Sequence, residues 1–588
     1  MQHPPNLLPP RQVVLEIALV FAVFLIQGAA PVPEVNEPYY LGKAIHFWNP
    51  DWVRSDFFLD TADTHIVFYL TFGWLALALS PQVMAWTGRL LTWALLAWAW
   101  RRLSYALVPR PWFAVLTAAL WVLLIERCHM AGEWVIGGVE AKGFAYVLVL
   151  LGLEALVHNR WNRVWLLLGA ASAFHVLVGG WSVVAAGWAW LAQGGEKGTG
   201  SFCAQHPQGP LGKRCLSPFP RPTLLSMAPA LIGGLLLSLP GLVPLLLLNR
   251  GVDQETMDYA NLIYVYARLP HHLVIDMMPL SYVLRFAALI GFFLLLGLLG
   301  REGEAPAEPR NGGDSTNNGS AARHTSSTRQ RMGSEAGDST HPLACASSLY
   351  DGMQRFRAFV GGTILIALVG AAITPIQFYD RQLGAALLRF YWFRLADVAV
   401  PMGVALGVGW LIATRWEARP RLSTAWLSVA ATVAVLHVGS HAIERMSPIP
   451  PPADRSLDYV AWRRACDWIV TSGEVPPDAR FLTPRMSQTL KWYTGRAEVG
   501  NWKEVPQNAR GLVAWWKRMH DLHATGHQHP DYYWHYSLTR LRPERLRRLA
   551  REYEADYLIT RSQPWLPFER LYANRSYAVY RLAPSRAE

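Results

Sequence analysis

Stretches of mostly apolar residues, each long enough for an α-helix to cross a bilayer, recur along the first three quarters of the chain. They predict about eleven membrane spans before Ser447. The centres of these stretches lie near Leu19, Leu95, Leu120, Leu150, Leu168, Ala185, Leu237, Phe292, Ile366, Ala405 and Val429. A shorter run, from Ile66 to Leu79, is interrupted by Gly73 and predicts a helix that lies along the interface.

The basic residues between these stretches predict an orientation. Lys and Arg concentrate in alternate connections, which hold Arg101, Arg102, Arg110, Arg160, Arg163, Arg415, Arg419 and Arg421. Because basic loops stay in the cytoplasm, a cytoplasmic N-terminus is expected, with the region after Ser447 periplasmic or extracellular and the protein in a cell (inner) membrane. The first stretch, Val13 to Ala30, is long for a signal peptide and predicts an uncleaved span.

From Pro448 onward the composition is that of a soluble domain. Helical patterns at 459–471, 512–523 and 543–553 alternate with β-like runs at 479–483, 496–500, 556–560 and 576–582. The predicted fold is therefore mainly α: a polytopic transmembrane helix bundle in residues 1–446, with an external loop at 31–80, and a small extracytoplasmic α/β domain in residues 447–588. Two polar, Gly- and Ser-rich segments, 195–222 and 302–350, predict disordered cytoplasmic insertions.

Composition supports the membrane assignment and excludes other classes. Hydrophobic residues make up 52% of the 588 residues and charged residues only 16%, so the lipid bilayer is an expected partner. The net charge of +12 does not predict nucleic-acid binding, since no basic stripe interleaved with aromatics lies on a soluble domain. Five cysteines without CxxC spacing predict neither a disulfide framework nor a metal site.

The segment that follows the first span is rich in both acids and aromatics. It carries Glu34, Glu37, Asp51, Asp56, Asp60 and Asp63. This is too polar for lipid and too aromatic for a linker, which predicts a site at the membrane face. Glu37, supported by Glu34, is the candidate general base for an acceptor hydroxyl, and Asp63 and His65 are candidate substrate-binding groups. Asp51, Asp56 and Asp60 are expected only to solvate the loop.

Two further segments on the same side carry candidate chemistry. Glu140 and Lys142 lie where the fourth span starts; being two residues apart on a helix, they are not expected to face each other, so each needs another partner. Arg381 and Arg394 lie beside Tyr391, a combination that suits a phosphate and a sugar or isoprenoid, although an interfacial aromatic belt has a similar composition.

Histidines offer weaker signals. His520, His523 and His527 share one helical face with ligand-like spacing, but a solvated segment is the preferred interpretation over zinc. His175, at the outer end of the fifth span, is expected to be a core histidine.

The order of motifs in the first 105 residues, NEPYY, NPDW, HIVFYLTFGWLAL, GRLL and WRRL, resembles GT-C class membrane glycosyltransferases, such as the lipid-A aminoarabinose and protein mannosyl transferases. The resemblance implies a polyprenyl-phosphate-linked sugar as donor and a first-loop carboxylate acting on the acceptor, sometimes through a divalent metal. Glu37 takes that carboxylate position. Asn36 stands where the family often has a second acid, which Glu34 is placed to replace.

Sugar transfer fits the candidate residues. Displacing phosphate from a sugar carbon passes through an oxocarbenium-like state, so it needs a base for the incoming hydroxyl and cations for the leaving phosphate. Glu37 with Arg394 or Lys142 is the predicted set. Two alternatives stay open: a multi-pass transporter, which the lack of mid-membrane charges and of a repeat disfavours, and a catalytically inactive membrane scaffold, which Asn36 favours.

Overall fold

The computed structural model describes residues 9–193, 222–301, 341–526 and 533–582. Most of the predicted insertions at 195–222 and 302–350 lies outside these ranges, so their disorder stays a prediction. Residues 341–350 are the exception: they begin a long helix, which corrects the predicted boundary of the second insertion.

The described part of residues 9–446 is helical, and its connections place short turns of 3-10 and π helix at one end of the bundle. The first eight helices are α1 (Pro10–Gly28), α2 (Glu37–Trp48), α3 (Ile66–Thr71), α4 (Pro81–Leu107), α5 (Phe113–Cys128), α6 (Ala141–Val157), α7 (Trp161–Phe174) and α8 (Val176–Ala192). The next eight are α9 (Leu224–Leu247), α10 (Gln254–Leu262), α11 (Pro270–Leu273), α12 (Leu280–Arg301), α13 (His341–Ile373), α14 (Arg381–Leu388), α15 (Arg394–Arg415) and α16 (Pro420–Met446).

Among the described residues, six helices are long and apolar enough to cross a membrane, namely α1, α9, α12, α13, α15 and α16. Each predicted span centre lies within a helix, but α5 to α8 have only 14 to 17 residues, so the count of about eleven spans is not confirmed. The segment Ile66 to Leu79 forms the six residues of α3 and a 3-10 turn, Gly73–Leu77, and its position at the membrane interface stays a prediction.

The bundle is organised around α15. Inside α15, 94% of the most apolar window is buried, whereas only 17% is buried in α9, whose leucines face outward as expected for helices in contact with lipid. Small residues bring helices close together: a Cβ on Gly169 of α7 would lie 2.1 Å from the carbonyl oxygen of Gly234 in α9. Such close approach is how membrane helices gain packing energy.

Residues after 447 form the expected small α/β domain. Its elements are α17 (Tyr459–Thr471), β1 (Arg480–Leu482), α18 (Leu490–Thr494), β2 (Ala497–Glu498), α19 (Ala509–His523), α20 (Pro543–Glu552), β3 (Tyr557–Arg561), β4 (Glu569–Ala573) and β5 (Tyr577–Arg581). The sheet order is β2-β1-β3-β5-β4; β1 pairs in parallel with β2 and β3, and the other pairs are antiparallel. The sequence missed β4, an edge strand whose residues are not buried on either face.

This domain docks on the segment that follows α1. The N–H of Glu498 donates to Asp56 Oδ2 at 3.1 Å, and the Thr64 hydroxyl donates to Gln507 Oε1 at 2.8 Å. The N–H of Ala453 donates to the carbonyl of Pro33 at 3.3 Å. The opening segment and the C-terminal domain therefore lie at the same end of the bundle, as the sequence predicts.

Candidate functional site

Glu37, the predicted base, is fully engaged by other groups. Arg89 of α4 grips it through Nε and Nη2, both at 2.7 Å, and neither side chain is exposed. The N–H groups of Val139 and Glu34 donate to the same carboxylate at 3.0 and 2.8 Å. Each carboxylate oxygen thus accepts two hydrogen bonds. Glu37 ties the opening segment to α4 and to the 129–140 loop, and it does not face a shared space as expected.

Glu34 lies beside this ion pair. Burial raises the pKa of Glu34 to about 6, with Arg89 opposing the rise and Glu37 adding to it. The packing here is close, since a Cβ on Gly138 would lie 2.7 Å from the Glu34 Cβ. Glu34 is therefore a second acid of the opening segment, placed next to Glu37.

The 129–140 loop and the start of α15 form one ion-pair cluster. Glu133 binds Arg394 Nε at 2.6 Å and Lys142 Nζ at 3.2 Å, and Lys142 lies 3.4 Å from Glu140. Asn36 donates to Glu140 at 2.9 Å. The expectation that Glu140 and Lys142 cannot meet is wrong, because Glu140 is an extended N-cap (φ −145°, ψ 158°) that precedes the helix.

Asp397 of α15 positions this cluster. Its buried carboxylate accepts hydrogen bonds from the N–H groups of Met130, Ala131 and Glu133 at 2.8, 2.8 and 3.2 Å. A side chain one turn beyond Arg394 thereby fixes the backbone that carries Glu133. Sequence reasoning did not single out Asp397 or Glu133; an acid early in a membrane helix was the signal available for Asp397.

Asp63 and His65 form a second group within the opening segment. Asp63 accepts from the His65 N–H at 2.8 Å, and its Oδ1 lies 3.6 Å from His65 Nδ1. The other ring nitrogen, Nε2, lies 3.4 Å from the Tyr40 hydroxyl. Burial lowers the pKa of His65, with Asp63 opposing, so the ring is neutral at pH 7. The Thr64 hydroxyl lies 3.3 Å from His65 Nδ1, nearer than Asp63, and is the hydrogen-bond partner of that nitrogen.

Further contacts place this pair beside the ion-pair cluster. The His65 ring stacks on Tyr40 at 5.0 Å and lies 5.6 Å from the His175 ring, both between centroids. Tyr391 stacks under Arg394 at 3.9 Å and shares a 2.8 Å hydrogen bond with Tyr264. His175 is buried, as expected of a core histidine.

A group of cations without carboxylate partners lies next to Tyr264 and Tyr391. The guanidinium groups of Arg268 and Arg485 both lie against the Trp502 ring, at 5.3 and 5.2 Å from its centroid. Lys503 and Arg389 lie beside them. Within the described part of the chain, none of the four forms an ion pair with an acid, and we call this set the basic cluster.

Burial makes these charges costly. It lowers the pKa of Arg268 to about 10, with Arg485 acting in the same direction, and it lowers the pKa of Lys503, with Arg268 as the second cause. The local bonds are to neutral groups: Arg268 Nε donates to the Trp502 carbonyl at 3.2 Å, and Arg389 donates to Asn261 Oδ1 at 2.7 Å. Sequence reasoning missed the basic cluster because it joins residues from distant segments.

Arg381 does not join either cluster. It is exposed at the first position of α14 and stacks on Tyr266 at 4.8 Å, so its predicted role in phosphate binding has no geometric support. The histidines of α19 do not form a ligand set either: His520 faces the Trp516 carbonyl at 2.9 Å and the Tyr533 hydroxyl, and His527 lies outside the described residues.

The C-terminal domain contributes a buried lysine that sequence reasoning also missed. Lys491 contacts Asp56 at 3.3 Å, Glu498 at 3.1 Å and, most closely, Glu504. Burial raises the pKa of Glu504 to about 8, with Lys491 opposing the rise. The expectation that Asp56 merely solvates the loop is wrong, since it is fully buried and joins the two domains; Asp51 and Asp60 are exposed as expected.

A cavity of about 380 Å³ opens between the same two parts of the chain. It is lined by Ser55, Phe57, Asp60, Thr61, Arg480 and Arg518. Beneath it, Lys43 donates to the Leu59 carbonyl at 3.1 Å and to the Thr61 hydroxyl at 3.0 Å, and burial lowers the pKa of Lys43 to about 8. Thr61, which lines the cavity, is two residues before Asp63 in the sequence.

Comparison with known proteins adds one match. Residues 460–522 match the family described as "Domain of unknown function (DUF6798)". No curated protein matches the chain. The matched segment contains Arg485, Lys491, Trp502 and Lys503, so it supplies the C-terminal side of the basic cluster and the lysine that binds Asp56.

Proposed function

We propose that this protein is a membrane glycosyltransferase of the GT-C type that moves a sugar from a polyprenyl-phosphate donor to an acceptor at an extracytoplasmic membrane face. The observation that carries the proposal is the basic cluster, which borders Tyr264 and Tyr391. Arg394 stacks on Tyr391, and the charge of Arg394 also acts on Tyr40, the ring that stacks on His65. Arg268 is buried and the other three cations are partly buried, and such charges without acid partners are costly unless an anionic ligand completes them. The membrane setting, the aromatic lining and the resemblance of the opening segment select a lipid-linked phosphate as that anion.

The phosphate end of the site comprises Arg268, Arg485, Arg389 and Lys503, with Arg394 at its edge. Guanidinium groups bind phosphate oxygens through paired N–H donors, and they gain strength where water is excluded. Trp502, Tyr264 and Tyr391 offer ring faces to a sugar or to the first isoprene units. Arg394 is neutralised by Glu133, so we assign it a positioning role rather than the main phosphate contact.

The acceptor end is His65. We assign the proton transfer to its Nε2, because the Thr64 hydroxyl engages Nδ1 at 3.3 Å and Nε2 is left facing the Tyr40 hydroxyl at 3.4 Å. In the reaction the acceptor hydroxyl gives its proton to Nε2, its oxygen forms a bond to the anomeric carbon, and the bond from that carbon to the phosphate oxygen breaks. The leaving phosphate takes the electron pair and is stabilised by the basic cluster.

In this proposal Glu37 is therefore a structural anchor and not the general base. Its two oxygens accept hydrogen bonds from four donors, so no lone pair is left to accept the proton of a substrate. The same engagement is the observation that favours the alternative of an inactive scaffold. The two hypotheses differ in whether the chain binds and turns over a lipid-linked donor.

Donor binding is tested with the full-length protein in detergent, using undecaprenyl phosphate and undecaprenol as ligands in native mass spectrometry. We expect binding to require the phosphate and to weaken at least tenfold in Arg268→Gln and Arg485→Gln. Arg381→Gln is the matched control, because that arginine is exposed and outside the cluster. Equal binding of the alcohol and the phosphate, or equal loss in Arg381→Gln, would refute the phosphate site.

Turnover is tested separately by supplying a panel of polyprenyl-phosphate sugars and following release of the free lipid phosphate in membranes. His65→Gln is expected to retain donor binding and to lose release. Donor binding without any turnover in the wild type would favour the scaffold.

A further inference from the structure

A cluster of two histidines and a glutamate lies away from the proposed transfer site, near the ends of two helices. Glu126 is near the end of α5, and His437 and His441 are one turn apart in α16. One donor atom from each residue lies within 4.8 Å of the others. None of the three belongs to the opening segment. We propose that Glu126, His437 and His441 bind a divalent transition-metal ion, with Zn²⁺ as the best fit.

The spacing and donor types fit such an ion. Histidines four residues apart on a helix present their rings to one face, a common way of holding zinc. Two imidazole nitrogens with one carboxylate oxygen are a known zinc donor set that leaves a further position for water or a fourth ligand. Nitrogen donors also select against Ca²⁺ and Mg²⁺, which prefer oxygen.

The contacts within the cluster are those of converging ligands. His441 Nε2 lies 2.8 Å from Glu126 Oε2. His437 Nε2 lies 4.0 Å from the same oxygen. Tetrahedral zinc separates its ligand atoms by roughly 3.4 Å, so these two distances would each change by about 0.6 Å to admit the ion, and the two histidine nitrogens, which are at most 4.8 Å apart, would have to reach the same spacing.

Neighbouring groups orient the ligands. Glu444 lies 3.4 Å from His441 Nδ1, so a carboxylate is close to the ring nitrogen opposite the one that faces Glu126. Gln27, at the end of α1, donates to Glu126 at 2.7 Å, and its Oε1 lies 2.9 Å from His437 Nε2. The Gln27 oxygen is thus placed to act as a fourth ligand once His437 turns to the ion.

Both the exposure of the three side chains and the charges around them allow a metal ion to bind. The histidine side chains are 3% and 10% exposed, and Glu126 is 31% exposed, which leaves one open path. The two acids, Glu126 and Glu444, are matched by Arg127 and Arg445. The metal would therefore compete with Arg127, which lies 3.4 Å from Glu126 and is mostly exposed. A bound ion would join α1, α5 and α16 just before the chain enters the C-terminal domain.

The test uses full-length protein with a tag free of histidine, stripped with EDTA and then dialysed against ZnCl₂. Metal content is measured by inductively coupled plasma mass spectrometry, and thermal unfolding is followed with and without zinc. Wild type is expected to hold one tightly bound zinc per chain and to unfold at a higher temperature with it. His441→Ala and Glu126→Gln should lose this zinc and the stabilisation, whereas His46→Ala, whose histidine contacts Asp60 instead, should keep both.

Equal zinc content in wild type and His441→Ala, or none in wild type, would overturn the proposal. If the variants do not fold, X-ray absorption of the wild-type zinc protein still decides. Two imidazole ligands with oxygen support the site, and sulfur or a single imidazole excludes it. Because none of these measurements uses a sugar donor, the result is independent of the transfer hypothesis.

Discussion

The buried pair of Glu37 and Arg89 gives the sharpest prediction about stability. Replacing Arg89 with Met keeps a side chain of similar length but leaves the Glu37 carboxylate without its cation in a place closed to solvent. Removing one partner of such a pair costs about 3–5 kcal/mol. We expect the upper part of that range, since Arg89 also donates to the Ala30 carbonyl at 2.5 Å and three hydrogen bonds are lost together.

The assay is thermal or denaturant unfolding in detergent, followed by tryptophan fluorescence. Arg110→Met is the control, just after the same helix: Arg110 is 40% exposed and lies 3.8 Å from Glu417, which is 91% exposed, so its loss should cost no more than about 1 kcal/mol. The double variant Glu37→Leu with Arg89→Met removes both charges and should recover part of the lost free energy of unfolding. If Arg89→Met destabilises no more than Arg110→Met, the anchoring role of Glu37 is refuted.

Three further predictions concern the domain junction and the opening segment. Lys491→Met leaves the buried carboxylates of Asp56, Glu498 and Glu504 without a cation and should loosen the C-terminal domain, seen as faster proteolysis near Pro448, whereas Glu504→Gln should be much milder; equal effects would contradict the lysine's role. Since burial raises the pKa of Glu34 to about 6, its contribution to stability is present below its unfolded pKa and lost as the pH rises through about 6. Wild type should therefore lose unfolding temperature relative to Glu34→Gln over that window, and a constant difference would count against it. Glu37→Gln should lower the rate of lipid-phosphate release because the opening segment is misplaced, without altering the shape of the pH–rate profile. His65→Gln should abolish the limb of that profile that reports the proton-accepting group. A shifted profile in Glu37→Gln would identify Glu37 as the base.

Much of the architecture followed from hydrophobic periodicity. The helical centres, the short helix after the opening segment and the small C-terminal α/β domain were all predictable, because each depends on local composition and repeat. The number of true crossings was not, since α5 to α8 are shorter than a standard span. The edge strand β4 escaped detection because neither of its faces is buried and its pattern carries no alternation.

The site was predictable in its parts but not in its pairings. The sequence pointed to the opening segment, to Glu140 with Lys142 and to Arg394, and the fold brings these segments together. Nothing local in the sequence could show that Arg89 would form an ion pair with Glu37, or that Asp56 would pair with Lys491, more than 400 positions away. Those outcomes depend on tertiary contacts between residues whose individual patterns are ordinary.

The central claim is that the opening segment, the 264–268 and 389–394 segments and the C-terminal domain surround one lipid-linked phosphate. It is tested most directly by irradiating the protein with a polyprenyl phosphate that carries a photoreactive group beside the phosphate, and by mapping the labelled peptides with mass spectrometry. We expect labels on peptides containing Tyr264, Tyr391 and Trp502, and we expect excess undecaprenyl phosphate to prevent this labelling. Labels confined to the lipid-facing surfaces of α9 and α12, or labels not displaced by competitor, would contradict it.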